Sequence, residues 1–197
     1  MEESLLNNES NTQMASKETQ ASLSYENQAS KEADLKEHII NAISLNLMEI
    51  IKDNNVYENL VIKDKFYLSS IPSISLKDYI KRLVKYTKMN ISTLINAIIY
   101  IDSFCEKKTY ILSLNNVYLL LLSACLISMK FNEDICINNN NYAQIAGISL
   151  QNLLSLECSL LLEMQFSLFV KEDLYESYFS YFSNYDVPIF SKDEKDL

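Results

Sequence analysis

Few residues in this sequence combine the type and the spacing that chemistry requires. The single histidine, His38, precedes the most apolar part of the chain, so no imidazole is at hand for a Ser-His-Asp or Cys-His site. Cys105, Cys125, Cys136 and Cys158 are scattered without a CxxC pair, and no Cys and His cluster has metal-ligand spacing. These cysteines read as small buried hydrophobes of a reducing compartment. One glycine, Gly147, excludes the glycine-rich loops that cradle phosphates in dinucleotide, P-loop and kinase sites. Glu133 and Asp134 could serve a carboxylate-based hydrolase, but no other catalytic group accompanies them, and a solvated loop is the simpler reading. The expectation is a chain that is not an enzyme and uses no cofactor, metal or small-molecule substrate.

Four charges remain, each placed where a helix should be apolar. Lys130 continues the stripe of Leu119, Leu122 and Leu126, at the end of "LLLLSACLISMKF". Glu157 interrupts Leu150, Leu153, Leu154, Leu160, Leu161 and Met164; Asp102 continues Leu94, Ile95, Ile98 and Ile99. Arg82 borders Tyr79 and Leu83 and is the only arginine beside 16 lysines. An unpaired buried charge costs several kcal/mol, so each needs a partner or a route to water. Arginine is the residue for bidentate carboxylate contacts, which makes Asp102 the natural partner of Arg82. On that reading Arg82→Ala would leave Asp102 buried and unpaired, at about 3–5 kcal/mol. Blander readings stand beside these: a lone surface arginine, a lysine snorkelling from a helix end, and a solvated glutamate. Taken together, Lys130 and Glu157 could serve as polar anchors for a partner.

The elements that would hold these residues are helical. Leu35, Ile39, Ile43, Leu47 and Ile50 recur at three- and four-residue steps and predict a helix over 32–52. Pro72 bars a helix across "SSIPSIS". Ser75, answered by Asp78, caps a helix over 76–89. Asn90 or Ser92 caps one over 93–107, and Asn115 one over 116–131. A short helix in "NNNYAQIA" ends at Gly147, and Ser149 caps a last core helix over 150–166. "DLYESYFSYFSNY" adds another, and "FSLFV" at 166–170 is the one β-like run. The fold class expected is all-α: five packed helices, with one attached at each end.

Charge is concentrated at the ends. Residues 1–38 carry three lysines against eight acids, residues 171–197 three against seven, and the middle is neutral. Acidic ends on a neutral body argue against a nucleic-acid binder. The start lacks the basic flank and apolar stretch of a secretory signal, and the 119–129 run is short of the roughly 20 residues a bilayer takes. No membrane partner is expected, and the cytoplasm or nucleus is the expected location. Residues 1–31, rich in Ser, Asn, Gln and Glu, read as a disordered acidic N-terminus.

Several stretches then resemble one family in order. "SMKFNED" resembles the signature that ends the third helix of a cyclin box, and "LSLECSLLLEMQFSL" the pattern of its fifth, which Glu157 opens. "AIIYIDSF" resembles the second-helix "YIDR" stretch. "IPSISLKDYIKRLVKYTKMN" and "NYAQIAGISLQNLLSLE" resemble the P-type (U-type, phosphate-regulon-like) branch. The resemblance implies a single cyclin box over 66–170. An adjunct helix and linker over 32–65 would precede it, and a C-terminal helix and acidic tail over 171–197 would follow. It also implies a regulatory subunit that docks a cyclin-dependent kinase through Lys130 and Glu157, with Arg82 and Asp102 as an internal ion pair. Ser103 stands where the family has Arg, and Tyr118-Leu119 where this branch has His-Arg. The 27 residues after 170 leave no room for a second box. The competing reading is a helical adaptor of the same fold that recruits something other than a kinase.

Overall fold

The computed structural model describes residue 28 and residues 30–188. The N-terminal stretch read as disordered lies outside them, apart from residues 28, 30 and 31, which are helical, as does the tail beyond 188. The chain divides between His38 and Ile39 into two compact units. In the first, residues 30–38 are helical; the second opens with helical residues 39–54 (α1), so the predicted helix over 32–52 is present. A 3₁₀ turn, Asn55–Leu60, leads into the linker.

That linker is stapled down rather than loose. The Asp64 carboxylate accepts from the Phe66 amide at 2.9 Å and from the Tyr110 hydroxyl at 3.0 Å. Phe66 is buried edge-on against Phe104, their ring centroids 5.7 Å apart. Asn115 takes both backbone groups of Leu68: its carbonyl accepts from the Leu68 amide at 2.6 Å and its side-chain amide donates to the Leu68 carbonyl at 2.7 Å.

The five core helices follow in chain order. α2, Leu76–Thr87, starts at Ser75, whose hydroxyl accepts from the Asp78 amide and donates to the Asp78 carboxylate at 2.7 Å. α3 is Ile91–Lys108 and α4 is Val117–Asn132. The cap of α4 is Asn116, not the predicted Asn115, which is committed to Leu68. The Asn116 side chain, fully buried, accepts from the Ser113 amide at 2.8 Å and donates to the Ile111 carbonyl at 2.9 Å, closing the loop before the helix. α5, Asn139–Ala146, ends at Gly147, whose φ of +75° is the left-handed conformation that glycine adopts without strain. α6, Leu150–Glu163, starts at Ser149 and stops short of the predicted 166 because Gln165 and Phe166 turn to φ +54° and +56°. α7 is Glu172–Ser183.

Packing explains why α4 carries the most apolar sequence. From Val117 to Met129 every residue is buried except the half-buried Leu119, so α4 is surrounded rather than amphipathic. α3 and α6 flank it, α5 fits against α2 and α6, and α7 lies on α3. The β-like stretch at 166–170 is irregular backbone, and no strand occurs among the described residues. The fold is all-α, as expected from the periodicity. No single described helix is long and apolar enough to cross a membrane.

Candidate functional site

Lys130 is the first exposed residue of α4 after the buried run, in the last turn, where a cation also suits the helix dipole. Glu157 sits midway along α6, which packs on α4. Their side chains meet: the Lys130 ammonium donates to Glu157 Oε1 at 2.6 Å. The lysine side chain is 35% exposed and the glutamate 12%, so the carboxylate is largely desolvated while the ammonium reaches the surface.

The two expected polar anchors are thus not left free for a partner, because each is the other's first partner. The pairing is incomplete. An ammonium has three donors and a carboxylate two acceptor oxygens, and this contact uses one donor and Oε1. The rest of both groups is open to further hydrogen bonds. Leu154 and Leu161 share the helical face of Glu157, three residues before it and four after; Leu154 is exposed and Leu161 half-buried. Phe131, next to Lys130, is also exposed. The result is a polar pair set among uncovered apolar side chains, with the exposed thiols of Cys136 and Cys158 close by in place of the buried cysteines expected, an arrangement suited to a protein partner.

The predicted internal pair is not formed. Arg82 is exposed, donates from Nε to the Ile145 carbonyl at 2.8 Å, and stacks loosely over Tyr86. Its role is to tie α2 to the end of α5. Asp102 turns instead toward α7, where the Tyr178 hydroxyl donates to Oδ2 at 2.7 Å. The reason lies in the faces of the helices: Arg82 projects on the α5 side of α2, whereas Asp102 projects on the α7 side of α3. Burial holds the Asp102 carboxyl above its ordinary range, partly offset by the Tyr178 hydrogen bond.

Two partners escaped the sequence reading. Glu133, taken for a solvated loop residue, accepts from the Asn90 amide at 2.9 Å and so caps the start of α3, where the Asn90 side chain makes no capping bond. Tyr178 carried a faint signal, since it lies on the apolar face of α7 while Asp102 lies on that of α3. Asp134 is exposed.

Comparison with known proteins places the chain in a family. The sequence model of the cyclin family, described as "Cyclin", matches residues 1–168. Cyclin-U4-2 of Arabidopsis thaliana is 31% identical over 153 residues, 75% of this chain and 71% of its own length. Cyclin-U2-1 of the same plant is 34% identical over 114 residues, 57% of this chain and 51% of its own. Cyclin-P3-1 of Oryza sativa subsp. japonica is 29% identical over 130 residues, 64% of this chain and 55% of its own. The chain thus spans from about half to about seven tenths of the length of these relatives. With a five-helix core around a buried third helix and a family match over most of its length, the chain belongs to the cyclin family, in its P-type or U-type branch.

Proposed function

We propose that this protein is a regulatory subunit that binds a cyclin-dependent protein kinase inside the cell, in cytoplasm or nucleus, and activates it. Docking pushes the kinase C-helix inward, so that its glutamate pairs with the lysine that positions ATP, and helps order the activation loop. The activating free energy is the difference in affinity for the two kinase states, which shifts the population toward the active one. The observation that carries this reading is the half-satisfied Lys130–Glu157 pair beside exposed Leu154 and Phe131. Polar groups already held in place lose little freedom when a partner completes their hydrogen bonds.

The test is the double variant Lys130→Ala with Glu157→Ala, mixed with a panel of cyclin-dependent kinases. Wild type is expected to co-purify with one kinase and to stimulate phosphotransfer. The double variant is expected to lose both while keeping its helical circular dichroism. Unchanged kinase binding would refute the assigned site. Absence of kinase binding in the wild type would favour a helical adaptor.

A further inference from the structure

Asp102 is a half-buried carboxylate with no cation beside it among the described residues. Among the described residues its one hydrogen bond is from Tyr178, and neither Arg82 nor any lysine pairs with it. That bond is to Oδ2, and no donor among the described residues bonds to Oδ1. Glu106, also negative, adds a smaller push against ionisation. Partial desolvation works against its ionised form, and the one hydrogen bond from Tyr178 offsets only part of that.

Asp102 also lines a cavity. The space, about 410 Å³, lies between α1, α3 and α7, with Ile50 and Phe182 as apolar walls. Tyr178 and Tyr181 supply aromatic surface and hydroxyls, and the Asn46 side-chain amide donates to the Tyr181 hydroxyl at 3.0 Å, fixing that ring in place. Tyr181 is half exposed, so the cavity communicates with solvent along its ring. A carboxylate at the wall of an aromatic and aliphatic cavity is the complement of an organic cation. The carboxylate takes the charge and hydrogen bonds, and the aromatic rings take the delocalised cation and its alkyl stem.

We propose that this cavity is a receptor for a guanidinium or alkylammonium group. The group would complete the hydrogen bonding of Asp102 and lie against Tyr178 and Tyr181. The space holds one such head and its alkyl stem with room to spare, whether carried by a free amine or presented as the arginine side chain of a partner protein. The site lies on α3 and α7, whereas the proposed kinase-docking pair lies on α4 and α6, so it stands independently of that reading.

The experiment uses the full chain, which has no tryptophan, and follows tyrosine emission and ligand-observed NMR during titration. Two probes separate the sources: agmatine for the free amine, and N-acetyl-arginine-methylamide for a side chain within a polypeptide. Tighter agmatine binding indicates a free amine, and binding of the blocked arginine at least as tight indicates a protein side chain. In either case Asp102→Asn is expected to weaken binding by about tenfold or more, as loss of a charge-assisted contact does. Tyr181→Ala, an exposed change that leaves the carboxylate intact, is expected to weaken it several-fold and guards against a folding defect in the first variant. Equal binding by wild type and Asp102→Asn, or no saturable binding of either probe to the wild type, would overturn the proposal.

Discussion

At the scale of single residues, the unusual arginine and the unusual aspartate have separate explanations. Arg82 was conspicuous because it is the only arginine, and that rarity suggested a buried carboxylate partner. It instead holds a carbonyl at the end of α5 from an exposed position. Arg82→Ala is therefore expected to cost only about 1 kcal/mol, the scale of one hydrogen bond, and not the several kcal/mol of an orphaned ion. A denaturant melt measures it. Asp102 behaves oppositely. Burial raises its carboxyl pKa above the ordinary 3.8, so the folded chain holds that proton more tightly than the unfolded one. Stability then falls as pH rises from 3.8 through the raised value, and the loss is complete above it. Asp102→Asn, which cannot ionise, is expected to raise the melting temperature at neutral pH, with the gain shrinking as the solution is acidified toward 3.8. A gain that grew on acidification would contradict this account. The individual charges were legible in the sequence, whereas their partners were not, because a stripe shows that a residue faces inward but not which neighbour it meets.

At the scale of elements, what the sequence disclosed best was local. Ser75 with Asp78, Gly147 and Ser149 mark helix ends by chemistry within a few residues, and the structure uses each of them. The miss at Asn115 is instructive, because two adjacent asparagines compete for one cap and a distant backbone decides between them. Asn115 is drawn to Leu68, 47 residues away, which leaves Asn116 to close the loop. The early stop of α6 had no comparable signal, since Gln165 and Phe166 adopt a left-handed turn without glycine. The burial of α4 follows from composition alone, as a helix apolar on all sides must be surrounded. Leu121 lies at its centre and is fully buried. Leu121→Ala is expected to cost about 2–5 kcal/mol, read from the shift of the urea midpoint, since the neighbouring helices cannot collapse onto the gap.

At the scale of the whole molecule, one buried helix organises both the core and the surface pair. α4 is enclosed along its length and emerges only at its last turn, so Lys130 is placed by the packing of everything before it. Glu157 is placed by α6 against that same helix. The order of helices was legible because each carries its own period, and the family resemblance supplied the pairing of the third and fifth helices that periodicity alone could not. What remained out of reach was the self-pairing of Lys130 and Glu157, which depends on a side-chain geometry of a few ångströms. That self-pairing offers a sharp question: whether the two charges serve this chain alone or a partner. Exchanging them, Lys130→Glu with Glu157→Lys, preserves an internal ion pair but presents reversed polarity to anything docking there. The direct measurement is the affinity for a cyclin-dependent kinase, and its phosphotransfer rate, with wild type and with the exchanged variant. The account predicts an unchanged melting temperature with binding weaker by about 2–5 kcal/mol and activation lost. Kinase binding and activation equal to wild type would contradict it, leaving the pair a brace within this protein.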